Sequence, residues 1–256
     1  TEQINFKACI KIAKDAKKYR VKKFIFASSC SMYGKTKGNK AIKENSALNP
    51  LTHYARSKIN SEKNLLKLST KEFQVISLRF ATAAGLSPNL RLDLVFNDFI
   101  ANAISKKKIE LLSAGTSWRP LIHVDDMCKA LYWSIKYKLK KNFLAVNVGS
   151  NKWNFRIIDL AKKISKTLGK NVKVKVLDKK AVDNRSYKVD FTLYNKIAKN
   201  YKPSKNFNLA VRELGEYLKK RKKSLKDFRS SPKWSRMSKL DYLFKKNKIN
   251  KELFWK

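Results

Sequence analysis

The sequence predicts an α/β protein built on a parallel sheet, and three observations carry that prediction. Phe24 to Ala27 form a short apolar run without polar alternation, as in a strand covered on both faces. Phe73 to Leu78 repeat the pattern after a helix that begins near Thr52, behind Pro50, and continues through Leu65, Leu66 and Leu68. Ahead of both, Ile4, Ala8, Ile12, Ala13 and Ala16 recur at helical spacing, so residues 4–19 are expected to be an amphipathic helix lying on the sheet. Strands alternating with helices build βαβ units. Parallel sheets of this kind keep their functional groups just past the carboxyl ends of the strands, where Ser28, Ser29 and Ser31 fall.

The helix after Pro50 carries Tyr54 and Lys58, spaced i, i+4 on one face. An isolated phenol has a pKa of about 10 and is a poor base at neutral pH; a neighbouring ammonium favours the phenolate. A serine hydroxyl within reach completes a Ser/Tyr/Lys set suited to moving a proton while a hydride leaves or reaches a carbinol. In so lysine-rich a chain the spacing alone carries little weight: Tyr19/Lys23, Tyr33/Lys37, Tyr132/Lys136, Tyr137/Lys141, Tyr201/Lys205 and Tyr242/Lys246 share it. Tyr54 and Lys58 are set apart by their context, a buried strand ending in serines, a turn with Gly34 and a Pro-initiated helix.

Further along, residues 87–99 pass from a turn into an amphipathic helix ending near Lys106, with Arg91 either near a ligand or paired with Asp93. Leu121 to Val124 read as a short strand, and Asp125 as the N-cap of a helix that buries Met127, Ala130, Leu131 and Ile135. His123 is expected to be a satisfied strand-end histidine. Phe143 to Val148 form a last sheet strand, Ile157 to Leu168 a helix, Val172 to Leu177 an alternating edge strand, and Leu209 to Leu218 a closing helix. From Lys219 the pattern changes to Lys/Arg runs, serine pairs and scattered aromatics (Phe228, Trp234, Tyr242, Phe244, Phe254, Trp255). That tail reads either as a contact surface for nucleic acid or membrane, or as a helical segment folded back on its own domain.

Composition sets the limits. A chain of 256 residues, 43% hydrophobic and 11% aromatic, is globular rather than disordered and holds one sizeable core or two modest domains. It contains no apolar run of transmembrane length and no secretory signal. The formal charge of +41 is spread as lysine over almost every segment, which fits a compositional bias and steers towards phosphate-bearing substrates. Cys9, Cys30 and Cys128 form neither a disulfide framework nor a zinc site, so a reducing cytoplasm is the expected setting and Cys30 is given a packing role.

Five motifs in order resemble the extended short-chain dehydrogenase/reductases, in particular the NAD-dependent nucleotide-sugar epimerase/dehydratase family. They are Ser28-Ser29-x-x-x-Tyr33-Gly34; Glu44-x5-Pro50-x3-Tyr54-x3-Lys58; Leu78-Arg79-x-x-Thr82-x-x-Gly85; Arg119-Pro120-x-Ile122-His123-Val124-x-Asp126; and Asp183-x-Arg185-Ser186-Tyr187. Together they cover roughly residues 5–215. The resemblance implies a Rossmann-type doubly wound parallel sheet with a smaller C-terminal α/β substrate lobe. Residues 1–85 and 119–150 would form a partial NAD-binding domain, 86–118 and 151–218 the substrate lobe, and 219–256 a basic tail.

It further implies Ser29, Tyr54 and Lys58 as catalytic residues and Ser28, Tyr54, Lys58 and Phe80 at the cofactor, NAD or alternatively NADP. Ser31, Thr82, Asn97, Arg119 and Arg185 would bind a nucleotide sugar, the arginines gripping its diphosphate. The implied activity is epimerisation through a keto sugar. Dehydration is disfavoured because Cys30 and Ser31 stand where the family's dehydratases carry an acid/base pair, and Ser31 also replaces the carboxylate of related decarboxylases. The family's Gly-x-Gly-x-x-Gly turn does not occur, so the sequence reads as a fragment lacking a first βαβαβ half, not expected to bind NAD in the usual way by itself. The intact enzyme is expected to be a homodimer without a membrane span and without nucleic acid as a partner. A reductase or dehydratase of the same superfamily, and a non-catalytic basic binding protein on a decayed half-fold, are the alternatives.

Overall fold

The computed structural model describes residues 1–36, 38, 40–169, 171–178 and 184–256, so Lys37 and Asp183 of the motifs above lie outside the described residues. A π-helical turn (Gln3–Ala8) leads into α1 (Cys9–Lys18), β1 (Lys23–Ser29), α2 (His53–Leu68), β2 (Gln74–Phe80), β3 (Thr82–Ala84), α3 (Val95–Lys106), β4 (Lys108–Leu111), β5 (Trp118–His123) and α4 (Val124–Lys136). There follow β6 (Phe143–Val148), β7 (Asn154–Arg156), α5 (Ile157–Leu168), β8 (Lys173–Val176), α6 (Thr192–Ile197), α7 (Phe207–Lys219) and α8 (Arg236–Lys245). The chain divides into two compact units, Thr1–Ala83 with Ser113–Asp159 and Asp178–Lys205, and Ala84–Leu112 with Leu160–Leu177 and Asn206–Lys256.

In the first unit β1, β2 and β6 form a parallel sheet with β2 in the middle, Ser29 opposite Phe80 and Phe80 opposite Val148 at its carboxyl end. Alternate β2 side chains point to opposite faces. Val75 joins Ala13, Phe26, Leu65 and Phe73 beneath α1 and α2. Ile76 and Leu78 join Val146, Val148, Ala130 and Trp133 on the α4 side. Helix on sheet on helix is the doubly wound arrangement, and it buries β2 on both faces as its sequence requires. Lysines also close helices here: Lys17 Nζ donates to Leu68 O (2.7 Å) at the end of α2, and Lys23 Nζ to Ile135 O (2.7 Å) and Tyr137 O (2.8 Å) at the end of α4.

Several expectations need correction. β1 is an edge strand of the described sheet, so Ala27 is exposed although Phe26 and Ser28 are buried; coverage on both faces holds for β2 and not for β1. On the first helix Ile4 and Ile12 are 73% and 60% exposed, because the stripe that meets the sheet runs through Cys9, Ala13 and Ala16. On α4 the inward stripe is Asp126, Ala130, Trp133 and Ser134, while Leu131 and Ile135 are exposed. Trp133 takes the core position edge-on to Tyr194 (5.2 Å, 87°), and Asp126 is drawn inward by the Ser204 and Lys205 amides (both 3.1 Å). The N-cap of α4 is His123, whose Nδ1 accepts from the Asp125 amide (3.2 Å), and not Asp125.

The segment after residue 184, placed with the substrate lobe by the sequence, packs on the sheet of the first unit. Tyr187, Val189, Phe191 and Tyr194 are in its core, and Phe191 lies so close to Gly149 that a Cβ there would meet the ring at 2.6 Å. In the second unit β4 and β8 pair in parallel, and α3 packs on α7 with Phe96 edge-on to Phe207 (5.6 Å, 88°). The first part of the tail folds back on this unit: Leu225 and Phe228 are buried, and Arg229 grips both Asp98 oxygens at 2.8 Å.

Candidate active site

The carboxyl end of β1 is shaped by its hydroxyls. Ser29 caps the 3-10 turn Cys30–Tyr33: its Oγ accepts from the Ser31 amide (3.1 Å) and donates to Ser31 Oγ (2.9 Å). Ser28 is buried, with its Oγ 3.7 Å from Met32 Sδ. The turn closes on Gly34 at φ 62°, where an added Cβ would lie 1.7 Å from Asn49 O, so only glycine fits. Cys30 is buried and donates from Sγ to Arg79 O (3.0 Å); burial pushes its thiol well above the ordinary range, which makes it a packing residue.

Helix α2 starts where Thr52 Oγ1 accepts from the Ala55 amide (3.1 Å), which fixes the register of Tyr54 and Lys58. Lys58 reaches back to β1, donating to Ala27 O (2.8 Å) with its ammonium 4.6 Å from the Phe26 ring and 5.5 Å from the Tyr54 ring. Burial holds the Lys58 pKa below the ordinary lysine value, against the pull of Cys9 and Glu62. Tyr54 is 42% exposed. The structure thus brings Tyr54 and Lys58 to the strand that ends in Ser29, and Phe80, its ring buried in the core, lies beside Ser29 in the ladder. An ammonium, a phenol and serine hydroxyls at such a strand end can hold the diol of a ribose.

Behind this face lies a buried polar network that the sequence reading did not assemble. Arg79 forks onto Glu62 (Nε to both oxygens at 3.1 Å, Nη2 to Oε2 at 2.7 Å), and Ser77 Oγ donates to the same carboxylate (2.6 Å). Arg79 Nη1 donates to Tyr33 Oη (3.0 Å) and Glu44 O (2.9 Å), and Tyr33 Oη donates to Asn147 Oδ1 (2.7 Å). Burial alone would lower the Arg79 pKa, but the Glu62 bonds and charge override it and keep the guanidinium protonated. Burial also pushes the Tyr33 phenol up, out of reach as a base at neutral pH. The available signal was spacing, since Tyr54, Lys58 and Glu62 fall at successive i+4 positions.

A second cluster joins β5 to the segment after residue 184. Arg119, buried, donates from Nη1 to Trp118 O (2.8 Å) and to Arg185 O, and its guanidinium lies over the Tyr187 ring (5.6 Å). Arg185 itself is exposed. Ser186 ties this cluster to the β1 turn, its amide donating to Gly34 O (3.0 Å) and its Oγ accepting from the Trp118 amide (3.1 Å). Thr82 opens β3 and is half-buried. Asn97 belongs to the second unit; its Oδ1 accepts from the Gly85 amide (2.9 Å) and its Nδ2 donates to Arg91 O (2.8 Å), so it staples a loop, while Arg91 pairs with Asp93. Among the described residues no group of His, Cys, Asp and Glu is arranged to hold a metal ion.

A family model described as the NAD dependent epimerase/dehydratase family matches residues 1–149. An uncharacterised UDP-glucose epimerase of Bacillus subtilis is 28% identical over 129 residues, which are 50% of this chain and 39% of that protein. A UDP-glucose 4-epimerase of Drosophila melanogaster is 26% identical over 195 residues, 68% of this chain and 55% of that one. The chain therefore spans about half the length of the curated relatives it matches, or less. Among solved structures, the UDP-N-acetylglucosamine 4-epimerase of Methanobrevibacter ruminantium in complex with UDP-N-acetylmuramic acid superposes with a TM-score of 0.72 at 26% identity. That match covers 86% of this chain and 70% of the other.

Proposed function

Because the chain belongs to the NAD dependent epimerase/dehydratase family, we propose that it carries the catalytic face of a nucleotide-sugar epimerase. The observation that carries this reading is the seating of Lys58 between Ala27 O and the Tyr54 ring at the strand end that displays Ser29. NAD, when bound, would supply the acceptor that takes a hydride from the sugar carbinol and returns it to the opposite face of the keto sugar once that sugar has turned over. Lys58 and Tyr54 would hold the hydroxyls of such a cofactor, while Ser28, which the resemblance also places there, is buried with its hydroxyl turned to Met32.

Tyr54 Oη takes the carbinol proton as the hydride leaves and returns it afterwards. The Lys58 ammonium favours the phenolate, and its bond to Ala27 O keeps it from swinging into solvent. The Ser29 hydroxyl turns its single proton from Ser31 Oγ to the reacting oxygen, while its oxygen keeps the bond it accepts from the Ser31 amide. Arg185 and Arg119 meet the substrate diphosphate, the buried Arg119 fixing the Arg185 backbone, and Thr82 adds a hydroxyl. Epimerisation is favoured over dehydration by Cys30, buried and bonded to Arg79 O, and by the absence of a carboxyl at Ser31: neither can pull a proton from carbon.

The test is to express the longest open frame that contains this chain, titrate it with NAD by calorimetry, and incubate it with a panel of UDP- and dTDP-sugars. A pair of epimers in equilibrium with no net change in NADH is the expected product. A 4-keto-6-deoxy sugar would move the assignment to a dehydratase, and stoichiometric NADH consumption to a reductase. Neither cofactor binding nor turnover would sink the catalytic reading and leave the basic binding protein.

A further inference from the structure

The last 21 residues, 236–256, lie beyond both the catalytic face and the family match. They hold seven Lys or Arg against two acidic residues. No residue of α8 is buried. Met237 and Phe244, seven positions and therefore about two turns apart, share one face of α8 and are 67% and 49% exposed. After the helix, a tight turn is closed by the Leu253 amide on Asn250 O (3.0 Å), the Asn250 amide on Phe254 O (2.9 Å) and the Phe254 amide on Asn250 Oδ1 (2.9 Å). Ile249, buried and bridged to Trp255, anchors it. The turn displays Leu253, Phe254 and Trp255 at 58%, 70% and 73% exposure. Three consecutive large apolar side chains exposed on this turn, with Lys248, Lys251 and Lys256 near them in sequence, are costly to leave in water.

We propose that this segment is a docking element for an anionic lipid bilayer surface, with the turn 249–255 as its wedge and α8 lying in the interface. Charge complementarity selects the occupant. A second copy of the chain would bring another +41 against this one, whereas anionic headgroups neutralise the lysines and the acyl boundary takes the Leu, Phe and Trp. Nucleic acid would satisfy the charge and stack on the aromatics, but Met237 and Leu253 have no π-face to offer a base. Among the described residues no helix is long and apolar enough to cross a membrane, so the attachment is to the surface.

The full chain is sedimented with vesicles of phosphatidylcholine alone and with vesicles carrying about one third phosphatidylglycerol, at roughly 0.15 M salt. The test variant is Leu253→Ala, Phe254→Ala, Trp255→Ala combined, all at exposed positions, with its fold checked by circular dichroism. Binding is expected on the anionic vesicles only, falling about tenfold or more in the triple variant. Brominated acyl chains should quench a component of the fluorescence that disappears in Trp255→Phe. Equal binding of wild type and triple variant would mean that the diffuse charge alone is responsible, and would overturn the proposal. So would quenching that is the same with and without Trp255. Failure on vesicles together with binding of a single-stranded RNA oligonucleotide that the triple variant loses would overturn it in favour of base stacking.

Discussion

At the scale of single residues, Lys58 joins site chemistry to stability. Its pKa is held below the ordinary lysine value by burial, so between the folded and unfolded pKa values the unfolded chain binds more protons than the folded one. The burial penalty on the ammonium is therefore fully present below the folded pKa and is relieved as pH rises towards the ordinary lysine value. Stability of the wild type should gain on Lys58→Met across that alkaline window, with a slope of at most about 1.4 kcal/mol per pH unit. Paired thermal melts from neutral to alkaline pH read this directly, and parallel curves would show that Lys58 is not held as described. Tyr54 is the complementary case, because Tyr54→Phe keeps the ring beneath the Lys58 ammonium and removes only the hydroxyl. Tyr54→Phe should leave the melting temperature nearly unchanged while kcat of the full-length enzyme falls about 100- to 10,000-fold. A variant that keeps its turnover would remove Tyr54 from the role of base.

At the scale of elements, α2 must be locked to the sheet for Tyr54 and Lys58 to stay in register with Ser29, and Glu62 is the lock. It is buried, on the same face as Lys58, and bound to both Arg79 and Ser77 of β2. Glu62→Ala strands a buried guanidinium and should cost about 3–5 kcal/mol, read as a shift in the urea midpoint; Glu62→Gln, which keeps an acceptor for Ser77 and Arg79, should cost less. A cost below about 1 kcal/mol would mean that the pair is not the lock. The turn after β1 depends in the same way on Gly34: Gly34→Ala puts a methyl carbon onto Asn49 O at positive φ and should cost about 3 kcal/mol or more by the same measurement. These elements also show what a sequence discloses. β2, β6, α2 and α5 were legible because each is a periodic or continuous apolar run closed by turn residues, and Tyr54 and Lys58 because local helix geometry fixes them. Contacts that close over long separations left no local trace: Asp126 drawn inward by the amides of 204 and 205, Trp133 displacing Leu131 from the core, Arg119 bonded to the Arg185 carbonyl. Asn97, which the family resemblance places at the nucleotide sugar, is 3% exposed, and its amide holds the backbone at Gly85 and Arg91.

At the scale of the whole molecule the governing quantity is charge. There are 60 Lys and Arg for 19 Asp and Glu, and the ion pairs that do form, such as Arg79 with Glu62, Lys129 with Asp126 and Arg229 with Asp98, draw on that small acidic pool. Some of the remaining lysines are used at helix ends, as Lys17 and Lys23 are. Such a surface repels itself, and folding brings the charges closer than they are in the open chain. The Debye length falls from about 30 Å at 0.01 M salt to about 8 Å at 0.15 M, so salt should screen the repulsion more than it weakens the few ion pairs. The melting temperature is therefore expected to rise by several degrees between those two concentrations, on the order of 1 kcal/mol of stability for a chain of this size. Sodium chloride and sodium perchlorate at matched ionic strength separate screening from anion binding: equal rises indicate screening, and a larger rise with perchlorate indicates anions held at lysine clusters. A melting temperature that falls on adding either salt would show that the attractive pairs dominate, and the net charge would then have no part in setting stability.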